Sequence, residues 1–74
     1  MKDYHINIFY SEEDKGYIAD IPDLKNCSAF GNTPDEALTN VLKAKQSWLL
    51  SAKENKIIIP KPKYSPAIYH TITP

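Results

Sequence analysis

Gly16-Tyr17-Ile18-Ala19-Asp20-Ile21-Pro22-Asp23-Leu24, then Cys27, then Gly31-Asn32-Thr33-Pro34-Asp35-Glu36-Ala37, is the stretch that decides the fold. Tyr17, Ala19 and Ile21 alternate with Ile18 and Asp20, the period of a half-buried strand. Pro22 has no amide to give a ladder, so the strand stops there. Asp23 is expected to organise this corner through side-chain-to-backbone bonds. Cys27 to Gly31 reads as a shorter strand. Thr33 then supplies an N-cap, Pro34 fits the first helical position, and Glu36 completes a capping box.

Upstream, Tyr4, Ile6, Ile8 and Tyr10 alternate with His5, Asn7 and Phe9, and a charged turn from Ser11 to Gly16 joins this strand to the next. Downstream, Leu38, Val41, Leu42, Lys45, Trp48, Leu49 and Ala52 form a stripe at helical spacing, so a helix is predicted over 34–54. Asn55 stands at its end as a candidate left-handed cap. Ile57-Ile58-Ile59-Pro60-Lys61-Pro62 follows, and Ala67 to Ile72 has strand composition again. The expected class is α+β, a small antiparallel sheet of three or four strands packed on one long helix. Residues 1–62 form the domain, and 63–74 form a tail expected to act as an edge strand or to reach another subunit. If the helix covers the Ile6 and Ile8 side, then Phe9, Ile18 and Phe30 point away from it and offer an association surface.

A chain of 74 residues is near the lower limit for a free-standing core. Cys27 is its only cysteine, so neither an internal disulfide nor a thiolate cage is available. Association is the remaining stabiliser, and a homodimer or homotetramer is expected, with Phe9, Ile18, Ile68 and Tyr69 as its contacts. No run approaches the roughly 20 apolar residues of a membrane span. The N-terminus lacks the apolar core of a signal peptide, and a cytoplasmic location is expected.

Net charge is zero but divided. Up to Glu36, three lysines face eight acidic residues, a net of minus five; from Ala37 onward, six lysines face Glu54 alone, a net of plus five. An acidic half can steer a basic partner. There is no arginine, the commonest reader of guanine and clamp of phosphate. Lys53, Lys56, Lys61 and Lys63, with Tyr64 and Tyr69, are the best candidates for holding single-stranded RNA.

Catalytic patterns are lacking. Cys27 has no histidine near it in sequence, and His5 and His70 lie near opposite termini. Glu12, Glu13 and Asp14 form a solvated charge run in a turn, and Asp20 is too isolated to form a two-metal site. No cofactor or metal is expected.

Gly16-Tyr17 with Ala19, Pro22-Asp23-Leu24, Cys27, Gly31 with Thr33, Glu36-Ala37-Leu38, Asn40, Trp48-Leu49 and Ile59-Pro60-Lys61-Pro62 occur in an order that resembles the HicB family of antitoxins. Two positions depart from the family pattern: Lys25-Asn26 stands where Pro-Gly is usual, and Asn55 where a glycine commonly follows the helix. The resemblance implies a β-β-β-α-β fold like a truncated ribonuclease H domain without its active site. It also implies a HicA-like toxin as partner, a small RNA-cleaving protein whose active surface the antitoxin covers. Longer members carry a C-terminal DNA-binding domain. This chain leaves no room for one, so direct promoter binding is not expected. Tyr17, Asp20, Asp23 and Phe30 are the candidate toxin contacts. The alternatives are a single-stranded-RNA-binding module that uses the lysine-rich half, or a domain that serves assembly alone.

Overall fold

The computed structural model describes residues 3–65. Strands β1 (Asn7–Ser11), β2 (Gly16–Asp20) and β3 (Ser28–Gly31) form an antiparallel sheet in the order β1-β2-β3, and helix α1 (Pro34–Glu54) packs on one face. The molecule is thus an α+β fold, a three-stranded meander on one helix. The candidate fourth strand, with Ile68 and Tyr69, lies outside the described residues.

The strands are shorter than the alternation suggests. Ile21 gives its amide to the carbonyl of Cys27 (3.0 Å), the next pair in the β2–β3 register, and the chain turns from there. Leu24 bonds back to Ile21 (3.0 Å) and Cys27 to Leu24 (3.1 Å), so the corner is two consecutive turns. β2 therefore ends at Asp20 and β3 starts at Ser28. Tyr4 and Ile6 pack against the core, yet they are outside β1, which begins at Asn7, level with Asp20 at the end of β2. Asn26 takes a left-handed conformation (φ 62°) at the third position of the second turn, where a glycine would be usual. Lys15 does the same (φ 52°) before Gly16 in the β1–β2 turn.

Residues directly opposite in the register share a face. Ile8, Ala19 and Ala29 line up toward the helix; Phe9, Ile18 and Phe30 line up on the other side. The buried core is Ala19, Ile21, Leu24, Cys27, Ala37 and Val41, with Tyr17, Leu38, Ala44 and Trp48 packed around it. On the helix, the buried stripe includes Ala37, which the sequence pattern leaves out, and Leu42 is exposed. α1 lies chiefly over β3 and β2 and touches β1 least.

Gly31 sets that placement. A Cβ built there would lie 2.2 Å from the Ala37 amide nitrogen and 2.7 Å from the Glu36 carbonyl carbon, so the start of the helix rests on bare backbone. The cap is adjacent. Thr33 Oγ1 accepts from the Glu36 amide (3.1 Å), and Glu36 Oε1 reaches past the cap residue to accept from the Asn32 amide (2.8 Å). At the other end the left-handed residue is Lys56 (φ 56°), not Asn55, whose φ is −95°. Lys56 donates to Lys53 (3.3 Å) and Ile57 to Ala52 (2.8 Å), the two backbone bonds of a Schellman ending. Asn55 instead turns its side-chain amide back to the Ser51 carbonyl (2.8 Å).

Three substitutions test these backbone positions. Gly31→Ala should lose more than about 3 kcal/mol in urea denaturation, because only backbone is available to move. Gly16→Ala should lose less, about 1 kcal/mol, since the nearest atoms to its Cβ are the movable outer carbons of the Phe30 ring and the one backbone atom, the Gly31 carbonyl oxygen, lies at 3.0 Å. Lys56→Gly should gain about 0.5–1 kcal/mol, read as a rise of several degrees in Tm, by removing a side chain from a left-handed position.

Candidate functional site: the open sheet face and its corner

The face turned away from α1 is an apolar row, Phe9–Ile18–Phe30, beside a polar row, Asn7–Asp20–Ser28. Phe9 is 50% and Phe30 41% exposed, so neither ring is covered within the chain. The Phe30 ring lies across Gly16, which is buried as a result. A glycine in a strand interior normally weakens it; here it lets the ring lie flat on the sheet. Asp20 stands at the end of this face, beside a depression of about 250 Å³ along the double turn that Pro22, Lys25 and Ser28 also line.

The four candidate toxin contacts do not share a surface. Asp20 and Phe30 lie on the open face. Tyr17 lies on the helix side, packed against the core and edge-to-face with Tyr10 (centroids 5.3 Å apart), because its register partner is Gly31. Asp23 does not organise its own corner, which backbone bonds hold. Its carboxylate accepts from the amides of Lys63 (3.1 Å) and Tyr64 (3.0 Å), forty residues on. Of the assembly candidates, Phe9 and Ile18 sit on the open face; Ile68 and Tyr69 lie outside the described residues.

Residues 57–65 have no regular structure and form a strap between the helix end and the start of β1. Besides Asp23, the Tyr4 hydroxyl holds it by donating to the Pro60 carbonyl, and the rings of His5 and Tyr64 meet at 4.7 Å. Ile57 and Ile58 remain exposed, Ile58 at 90%. They wall a cleft of about 440 Å³ with Lys25, Asn26, Trp48 and Ala52. Trp48 packs on the core and donates its indole N–H to the Lys25 carbonyl (2.9 Å), clamping the second turn.

The titratable groups have structural partners. Cys27 is buried; desolvation pushes its thiol above the ordinary value, and the Asp20 charge adds to this. That favours the protonated form over the thiolate a nucleophile requires. Asp3 receives the Lys45 ammonium at 2.7 Å; that hydrogen bond, the Tyr4 amide and the Lys45 charge hold its carboxyl below the usual range. His5 faces Asn7 Oδ1 at 2.8 Å. Among the described residues no three His, Cys, Asp or Glu side chains converge in a way that would hold a metal ion, and no helix is long and apolar enough to cross a membrane. The exposed cations Lys53, Lys56, Lys61 and Lys63 flank the helix end and strap. Tyr64, their aromatic companion, has its ring against His5.

Sequence reasoning missed the Asp23 tether, the clamp from Trp48 to Lys25, and the Asn40 side-chain bond to the Phe30 carbonyl (2.8 Å). The only signals were a buried-prone indole that needed an acceptor and polar residues beside apolar stripes. Comparison with protein-family models, with curated proteins and with solved structures finds no match for this chain. Asp23→Ala should speed hydrogen exchange at the Lys63 and Tyr64 amides by tenfold or more while lowering global stability by only about 1–2 kcal/mol, measured by exchange NMR and urea denaturation.

Proposed function

We propose that this chain is the antitoxin of a type II toxin–antitoxin pair, masking a HicA-like RNA-cleaving toxin by protein–protein binding and catalysing nothing itself. The observation that carries the reading is the open sheet face. Two exposed phenylalanines and Ile18 form an apolar row that ends in Asp20, within a chain half of net charge minus five. An apolar centre with an acidic surround suits a basic RNA-binding partner: burial supplies affinity, and charge supplies approach rate and specificity.

The resemblance to HicB has support at one of the two positions where the sequence departs from the family: Asn26 adopts the left-handed conformation that glycine would otherwise supply. After the helix the left-handed residue is Lys56, one beyond Asn55. In this reading residues beyond 65 complete a fourth strand of a ribonuclease H-like sheet, the protein works in the cytoplasm, and it self-associates. The single-stranded-RNA alternative has less support, because Tyr64 already has a ring partner.

The test is titration of the full chain with a HicA-like toxin, alongside an RNA-cleavage assay. Stoichiometric loss of cleavage is expected. Asp20→Lys and Phe30→Ala should each weaken binding by about tenfold or more, roughly 1.4 kcal/mol. Absence of a complex would overturn the proposal. Binding to homopolymer RNA that falls steeply with salt would favour the alternative.

A further inference from the structure

Gly16 is a glycine that its own backbone does not require. Its φ is not positive, and the left-handed residue of the β1–β2 turn is Lys15 (φ 52°). What requires a bare Cα is the open face of the sheet. A Cβ at position 16 would lie 2.3 and 2.5 Å from two carbons of the Phe30 ring. Register explains the encounter. Phe30 stands opposite Ile18, so Gly16 and Asp20 are its two diagonal neighbours on that face, both within reach of an aromatic ring. The ring takes the Gly16 side. An aromatic ring laid over a strand glycine covers backbone that the glycine would leave bare.

Phe30 is also held from behind. Asn40 of α1 donates its side-chain amide to the Phe30 carbonyl at 2.8 Å, and the next residue, Gly31, lies against the helix start. With backbone fixed on the helix side and ring seated on the open side, Phe30 has little freedom left to lose. A partner that covers a side chain already in its bound pose avoids the cost of ordering it. The ring is still 41% exposed, so part of it remains for a partner to cover. By leaning over Gly16 it also leans away from Asp20, the acidic contact on the other diagonal.

We propose that Gly16 is a positioning residue for recognition of the basic partner: it seats Phe30 as a pre-formed apolar contact and keeps the ring clear of Asp20. The inference rests on the antitoxin reading of the open face. A side chain at position 16 would unseat the ring while leaving both contact residues in the sequence.

The test uses the full chain and a HicA-like toxin. In the free chain, a Gly16 Hα resonance should be displaced by the Phe30 ring current and return to the ordinary glycine range in Phe30→Ala. Gly16→Ala should keep the circular dichroism spectrum of the unaltered chain and weaken toxin binding about threefold to tenfold. In a Phe30→Ala background, Gly16→Ala should leave the affinity where Phe30→Ala alone puts it, because the ring through which Gly16 acts is gone. Three results would overturn the proposal while the antitoxin reading stands: unchanged binding by Gly16→Ala, equal weakening in both backgrounds, or an Hα resonance indifferent to Phe30. Absence of any complex with the unaltered chain would overturn both.

Discussion

The architecture depends on backbone meeting backbone at Gly31. With no side chain at the end of β3, the first turn of α1 lies against the sheet at contact distance, and Thr33 and Glu36 satisfy amides there that would otherwise be orphaned. The helix is thereby anchored over β3. Where it meets Gly31 its buried residue is the small Ala37, with Val41 one turn on. Larger apolar groups are pushed to the margins, where Leu42 and Leu50 are left exposed. The same anchoring draws the helix away from β1. A narrow, eccentric helix placement thus produces both the compact core and the uncovered flank.

The long helix was the most legible element, because capping chemistry and a 3.6-residue period agree over 34–54 and the structure has these limits. The three-strand meander and the split of its faces were also legible from alternation, with Phe9, Ile18 and Phe30 turned outward. Strand ends were not, since the double turn that follows Ile21 is held by backbone bonds among Ile21, Leu24 and Cys27 that have no periodic signature. The left-handed residue after the helix was misplaced by one. Asparagine marks where such a conformation is cheap, but Lys56 takes it because its bond to Lys53 and the Ile57 bond to Ala52 fix the path. The site was less legible than the fold. Tyr17 and Phe30 both looked available, yet register alone puts one against the core and the other in solvent. Asp23 read as a local turn-former because its forty-residue tether has no periodic signature.

The residues that carry the resemblance to HicB antitoxins are mostly architectural. Gly31 admits the helix, Thr33 and Glu36 cap it, Asn40 ties it to β3, Trp48 clamps the corner, and Pro60 receives the Tyr4 hydroxyl. A set like this specifies a scaffold, whereas in the proposed reading partner recognition falls to other residues, on the open face of the sheet. This separation explains how an ordered set of individually weak signals can point to a fold while leaving contact residues hard to name.

The tether from Asp23 to Lys63 and Tyr64 has a kinetic consequence. The sheet and helix are joined by short connections and close through contacts near in sequence, which favours rapid formation. The strap closes instead through contacts some forty residues apart in sequence, so its docking pays more loop-closure entropy than any contact within the sheet. Opening of the strap alone frees the Asp23 carboxylate and uncovers the Trp48 side of the helix while the sheet and helix stay closed, a local excursion that costs less than global unfolding.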